Sequence, residues 1–199
     1  MGQIVSYARN GAIGFITVDN PPVNALSIGV RKGIVDCLAK GAADADAKAL
    51  VLICAGRTFI AGADITEFNK PLEDPDLNAV IAALEDCPKP VVAAIHGTAL
   101  GGGLETALGC HYRCAVPSAQ VGLPEVKLGI IPGAGGTQRL PRIAGVQAAL
   151  EIITSGDPIP AAKAHALGII DEIIDEKLEG AAAFAEKIVA EGRPLRRIR

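Results

Sequence analysis

Two strand-length apolar runs, each leading into a loop of small residues and then into a helix, constrain this chain most. Lys48–Ala55 (KALVLICA) and Val91–Ile95 (VVAAI) are apolar without polar alternation. Runs of this kind fit strands whose sheet is covered on both faces. The first leads into Gly56–Asp64 and a short helical stretch. The second leads into the Gly97–Gly103 loop, and a helix is predicted from about Gly102 to Cys110. Strand–helix alternation of this sort argues for the α/β class. Ligands of such sheets gather beyond the carboxyl ends of the strands, so the same two loops are the first places to look for a site.

The rest of the chain supplies the elements around this pair. Ile4–Arg9 and Ala12–Asp19 flank Asn10-Gly11, a strong hairpin signal. Asn20-Pro21-Pro22 ends the second strand, because proline lacks the ladder donor. Ser27 can cap a helix running to about Lys40, with Ile28, Ile34, Val35 and Leu38 on its apolar side. A polar, proline-bearing segment covers Asn69–Asp76, and Leu77–Asp86 reads as helical. Tyr112–Val116 reads as a strand, and Pro132–Thr137 opens another helix. Val146–Thr154, Pro160–Leu167 and Lys177–Glu191 make a helical C-terminal third, broken by a short strand in Ile169–Ile174. No linker interrupts 1–192, which is read as one domain. With 199 residues, half of them apolar and only 3% aromatic, the core must be built from small and branched side chains.

Charge and cysteine usage narrow the surroundings. A net charge of −3 gives no reason to expect nucleic acid as a partner. Residues 193–199 hold four arginines and no acid; without those four, 15 basic residues face 22 acidic ones. That segment is expected to be a solvated end or the start of a linker. Five cysteines, an odd number, with no secretory signal indicate reduced thiols and a cytoplasmic protein. No apolar run is long enough to span a bilayer, so no membrane is expected.

Two glutamates stand in segments shaped by glycine and proline. Glu105 falls in the first turn of the helix that the triple glycine Gly101-Gly102-Gly103 opens. A helix start presents free N–H groups and the positive end of the dipole, which can stabilise an oxyanion. Glu125 lies in Val121–Val126 (VGLPEV), another apolar context. Each has a structural reading when taken singly: Glu105 with the helix dipole, Glu125 with Lys127 or an arginine. As a buried pair, both would have raised pKa values suited to proton transfer near neutrality. The loop Phe59–Asp64 can be a ligand cradle or a tight turn with Asp64 as a cap. Cys110, His111 and Cys114 do not supply four metal ligands at family spacing, so no metal site is expected. No dinucleotide fingerprint, phosphate loop or Gly-x-Ser-x-Gly is present.

Taken together these segments resemble the enoyl-CoA hydratase/isomerase (crotonase) superfamily. FIAGADI resembles the family's first oxyanion segment, HGTALGGGLETALGCHYRCA the second, and VGLPEVKLGIIPGAGGTQRLPRIAG the segment with the second glutamate. The wording is most like the front part of multifunctional β-oxidation enzymes, in which a 3-hydroxyacyl-CoA dehydrogenase part follows. The resemblance implies a spiral of β-β-α units. It also implies addition of water to a trans-2-enoyl-CoA, or Δ3-Δ2 isomerisation, with coenzyme A entering only as part of the substrate. It assigns the oxyanion hole to the amides of Ala61 and Gly102, water activation to Glu105 and the C2 proton to Glu125. Ala63, Asp64, Ile65, Gly101, Pro132 and Gly133 are expected around the substrate and its CoA portion. Further helices that cover the acyl pocket in the family are expected to be missing here. A homo-oligomer, docking to a dehydrogenase part, or a catalytically incomplete acyl-CoA-binding fragment would follow from that.

Overall fold

The computed structural model describes residues 3–67, 71, 73–175 and 179–199. Strands β1 (Val5–Asn10) and β2 (Ile13–Val18) form the hairpin around Asn10-Gly11, in antiparallel register with Val5 opposite Val18. Helix α1 (Ile28–Ala43) follows, capped by the Ser27 hydroxyl, which accepts the Val30 N–H. A side-chain cap of this kind contributes about 1 kcal/mol. Strand β3 (Ala49–Cys54), helix α2 (Leu77–Asp86) and strand β4 (Val91–Ile95) come next. The β3–α2 connection includes part of the segment expected as polar from Asn69; Asn69 itself lies outside the described residues.

Strand β5 (Thr98–Leu100), helix α3 (Gly102–Gly109), strand β6 (Tyr112–Ala115) and strand β7 (Gln120–Gly122) build the centre. Helices α4 (Gly136–Ala144) and α5 (Val146–Ser155), strand β8 (Ile159–Pro160), helix α6 (Ala161–Ala166), strand β9 (Glu172–Ile173) and helix α7 (Glu179–Ala190) complete it. Lys177, placed in the last helix from the sequence, lies outside the described residues.

The main sheet runs β1-β2-β3-β4-β6-β9, parallel from β2 onward; a second sheet runs β5-β7-β8. Strands β3 and β4 are hydrogen-bonded neighbours, as their matching apolar runs predict. Every residue of β4 and β6 is buried, and the core has no wet sheet face along them. After β4 and after β6 the chain adds one short strand to the second sheet, β5 and β7, before its next helical turn. This gives the β-β-α rhythm and brings two different loops to one end of the molecule.

The segment 193–199 is not a free end. Tyr112 donates its hydroxyl to Pro194 O at 2.6 Å, and the Arg196 guanidinium stacks 4.5 Å from the Tyr112 ring centre. Arg197 donates to Glu85 O, and Arg199 pairs with Asp86. The expectation of a solvated end did not anticipate acceptors at the end of α2. No helix of the described residues is long and apolar enough to cross a membrane.

Candidate active site

The triple glycine is explained position by position. Gly101 sits at φ +53, a conformation that L side chains rarely adopt, and turns the chain from β5 into α3. A Cβ on Gly103 would lie 2.0 Å from Ile60 O, so only glycine lets α3 pack directly on the Ile60–Ala63 backbone. Gly102 stands between them as the first helical residue, whose N–H has no partner within the helix.

The loop on the other side is stitched down on two edges. Ile60 O accepts the Leu100 N–H, and Gly62 O accepts the Leu26 N–H. Leu26 and Ala63 form an isolated parallel bridge. In such a bridge the Ala63 N–H points away from its partner strand. Its nitrogen lies beside the start of α3: a Cβ built on Gly102 would come 3.7 Å from it. Ala61 was expected to supply this amide, and here the structure corrects the sequence reading. Ala61 lines the cavity, but its N–H donates to Val23 O at 3.2 Å. The neighbouring amides of Ala63 and Gly102 are the ones left without a protein acceptor among the described residues.

Both glutamates reach this cavity, whose volume is about 370 Å³. Glu105 is 2% exposed and Glu125 9%. Glu105 projects from the first turn of the wholly buried α3. Its Oε1 accepts the amides of Ala134 and Gly136, each at 2.8 Å. Glu125 is placed by a 3-10 turn, Pro124–Leu128, which Pro124 opens and Gly129 closes in the left-handed region. Its Oε2 is buried without any hydrogen-bond partner among the described residues. Glycine makes room for both carboxylates: a Cβ on Gly136 would come 3.0 Å from Glu105 Oε1, and one on Gly101 3.2 Å from Glu125 Oε1.

The two environments differ. Burial pushes the Glu105 carboxyl above the ordinary range, while the Gly136 and Ala134 amides and the Arg139 charge pull it back. Burial also raises Glu125, its own backbone amide opposes that, and the charge on Glu105 raises it further. Glu105 has the partners that stabilise a carboxylate, whereas Glu125 has an orphaned oxygen that a proton would satisfy. Of the two surroundings, that of Glu125 is therefore the one that favours the protonated form.

Of the other expected substrate residues, Ala63, Gly101 and Gly133 line the cavity. Asp64 and Pro132 do not, and the side chain of Ile65 lies outside what the structure describes. Asp64 accepts the Thr66 N–H through Oδ1, Ile65 opens a short 3-10 turn, and buried Pro132 would touch a Cβ on Gly136. Sequence reasoning missed Leu77, Leu128, Ile130 and Ile131, which make much of the wall apolar, and the Ala134 and Gly136 amides. The amides had a readable signal: Gly133-Ala134-Gly135-Gly136 before a helix is a donor-rich turn, and an acceptor had to be found for it. His111, weighed as a ligand, accepts the Val91 N–H at Nδ1 and bonds Glu85 O through Nε2. Among the described residues no cluster of three or more His, Cys, Asp or Glu is placed to hold a metal.

Two buried carboxyls and two backbone amides without protein acceptors among the described residues thus meet at one cavity beyond the ends of the parallel strands. The chain belongs to the enoyl-CoA hydratase/isomerase family, whose profile matches residues 8–196. It is 45% identical to a protein named a probable enoyl-CoA hydratase from Bacillus subtilis, over 92% of this chain and 76% of that one. It is also 49% identical to a peroxisomal bifunctional enzyme from Danio rerio, over 92% of this chain and 26% of the relative. The chain thus spans about a quarter of the length of that bifunctional relative. The solved enoyl-CoA hydratase from Bacillus anthracis superposes with a TM-score of 0.86 at 36% identity, covering 94% of this chain and 77% of that one.

Proposed function

We propose that this chain hydrates trans-2-enoyl-CoA thioesters, the water-adding step of fatty-acid β-oxidation. The observation that carries this is the pair of unlike glutamates facing one cavity beside the free amides of Ala63 and Gly102. The thioester oxygen accepts both amides. Polarisation makes C3 electrophilic, and the enolate that forms at the C1–C2 unit keeps its charge on that oxygen. Glu105, ionised, takes a proton from water as its oxygen bonds C3. Glu125, protonated, gives its proton to C2. The hydroxyl ends on C3 and a hydrogen on C2. Glu105 then carries the proton that Glu125 has lost, and the proton crosses the cavity before the next turnover. No metal is called for, since the amides polarise the carbonyl. Coenzyme A is part of the substrate, and Asp64 and Ile65 are the residues we assign to the rim near its adenine end.

Conversion of crotonyl-CoA in heavy water tests the reading. We expect loss of the enoyl absorbance and one solvent deuterium at C2. A chain that binds the thioester but never turns it over is the incomplete acyl-CoA-binding fragment instead. The orphaned Glu125 oxygen also suits Δ3-Δ2 isomerisation, a shuttle that needs no activated water.

A partner surface belongs to the same proposal. Leu128, Ile130 and Ile131 stand exposed along the cavity wall, and Val146 and Leu150 stand exposed on α5. A second copy of this chain, or a following dehydrogenase part in a longer protein, is the partner we assign to them. The five free, buried thiols suit a reducing compartment, and the cytosol is the proposal we keep. The peroxisomal name is that of the relative that bears it.

A further inference from the structure

The amides that grip Glu105 do not hold themselves in place. Ala134 is tied through its carbonyl, which accepts from Arg139 Nη1 at 3.2 Å. The other edge of that guanidinium forks onto Glu85 of α2, Nε to Oε1 at 3.2 Å and Nη2 to Oε2 at 2.8 Å. Glu85 is 1% exposed and the Arg139 side chain 13%, so the pair is largely buried where α4 meets the end of α2. Gly135 belongs to the arrangement, because a Cβ there would lie 2.1 Å from Arg139 Nη1. Glu85 is also met from behind by the 193–199 segment: Ile198 N donates to its Oε1 and Arg197 Nε to its backbone oxygen.

A buried ion pair is costly to desolvate, and an apolar pair of similar volume often serves stability as well or better. This one reaches the Glu105 turn directly, because Arg139 holds the carbonyl of Ala134, whose amide is one of the two on Glu105, while its fork grips Glu85. We propose that the Glu85–Arg139 pair is a positioning device: it fixes the Ala134–Gly136 turn, and through that turn it aims and charges Glu105 as the base. The inference rests on the hydratase reading above. Arg139 and Glu85 touch no reacting atom and act through Glu105.

The charged groups around Glu105 are Glu125 across the cavity, Arg139 from α4, Glu85 behind Arg139, and Asp76 at the start of α2 on the cavity wall. Arg113 lies under the far end of α3 with its own partner, Asp171. Base catalysis rises with pH through the Glu105 ionisation. Removing the Arg139 charge disfavours ionisation and moves that limb to higher pH. Removing the Glu85 charge unmasks Arg139 and moves it to lower pH.

The experiment is the pH–rate profile of crotonyl-CoA hydration for Arg139→Gln, Arg139→Lys, Glu85→Gln and the double variant Glu85→Gln/Arg139→Gln. The double variant leaves no lone buried charge and guards against simple unfolding. We expect kcat to fall about tenfold or more in Arg139→Gln, the scale of a misplaced group, with KM nearly unchanged. The acidic limb should move up in Arg139→Gln and down in Glu85→Gln. Arg139→Lys should keep the limb near its original place while losing part of kcat. Limbs that stay put in all folded variants, or that move the same way in both single variants, overturn the positioning role. Should Glu105→Gln keep full hydration, the function reading itself is what fails.

Discussion

At the scale of single residues, the site is a contrast between two carboxyls made by their hydrogen-bond partners. Glu105 has two amide donors, and Glu125 has a buried oxygen with none. The contrast has a thermodynamic consequence. Burial first, and the Glu105 charge next, hold the Glu125 carboxyl above its ordinary range. A carboxyl with a raised folded-state pKa binds its proton more tightly folded than unfolded, so it subtracts stability as pH rises past about 4 through the folded value. Glu125→Gln should therefore gain stability relative to the parent as pH rises from 4 to 8, and melting curves across that range check it. A gap that stays constant with pH would show that the carboxyl is not perturbed. Gly136→Ala should act on Glu105 instead, because the new methyl would crowd Oε1, and hydration should fall about tenfold or more with little change in KM, as measured by steady-state kinetics.

At the scale of elements, the site depends on two loops held down by contacts far apart in sequence. Arg31 of α1 clasps the first loop: it pairs with Glu67 at 2.7 Å and donates to Leu26 O and Pro75 O, while Glu67 Oε1 accepts the Ile28 N–H. Glu67→Ala should cost about 2 kcal/mol in chemical denaturation, since a charged, half-buried partner is lost from two bonds at once. Helix α2 and strand β4 were legible at their observed bounds, because Leu77–Asp86 carries helical periodicity and Val91–Ile95 is apolar throughout. Strands β5 and β7 were not. Three residues show no period, and each is a strand only through the other: Thr98, Ala99 and Leu100 pair with Gln120, Val121 and Gly122. The Ala61 amide was misassigned for a related reason. FIAGADI names the loop, but which N–H is free depends on Val23 and Leu26, which lie on a different segment. Glu105 and Glu125 were readable because the glycines and proline that shape their surroundings are adjacent to them in sequence.

At the scale of the molecule, the chain has a family core and two surfaces with different character. One is the arginine-bearing 193–199 segment, docked on Tyr112, Asp171 and the end of α2. The other is the apolar face around the cavity mouth. Val146 and Leu150 on α5 are exposed without lining the cavity. Val146→Ser/Leu150→Ser should therefore weaken self-association in sedimentation velocity and leave hydration per chain unchanged. Unaltered sedimentation would place any interface elsewhere. The central claim, that two unlike glutamates divide the work, is tested most directly by assaying Glu105→Gln and Glu125→Gln for both hydration of crotonyl-CoA and isomerisation of a 3-enoyl-CoA. The account predicts that each variant loses hydration by roughly two or more orders of magnitude, that Glu125→Gln also loses isomerisation, and that Glu105→Gln keeps part of it. Near-normal hydration in either folded variant would contradict it.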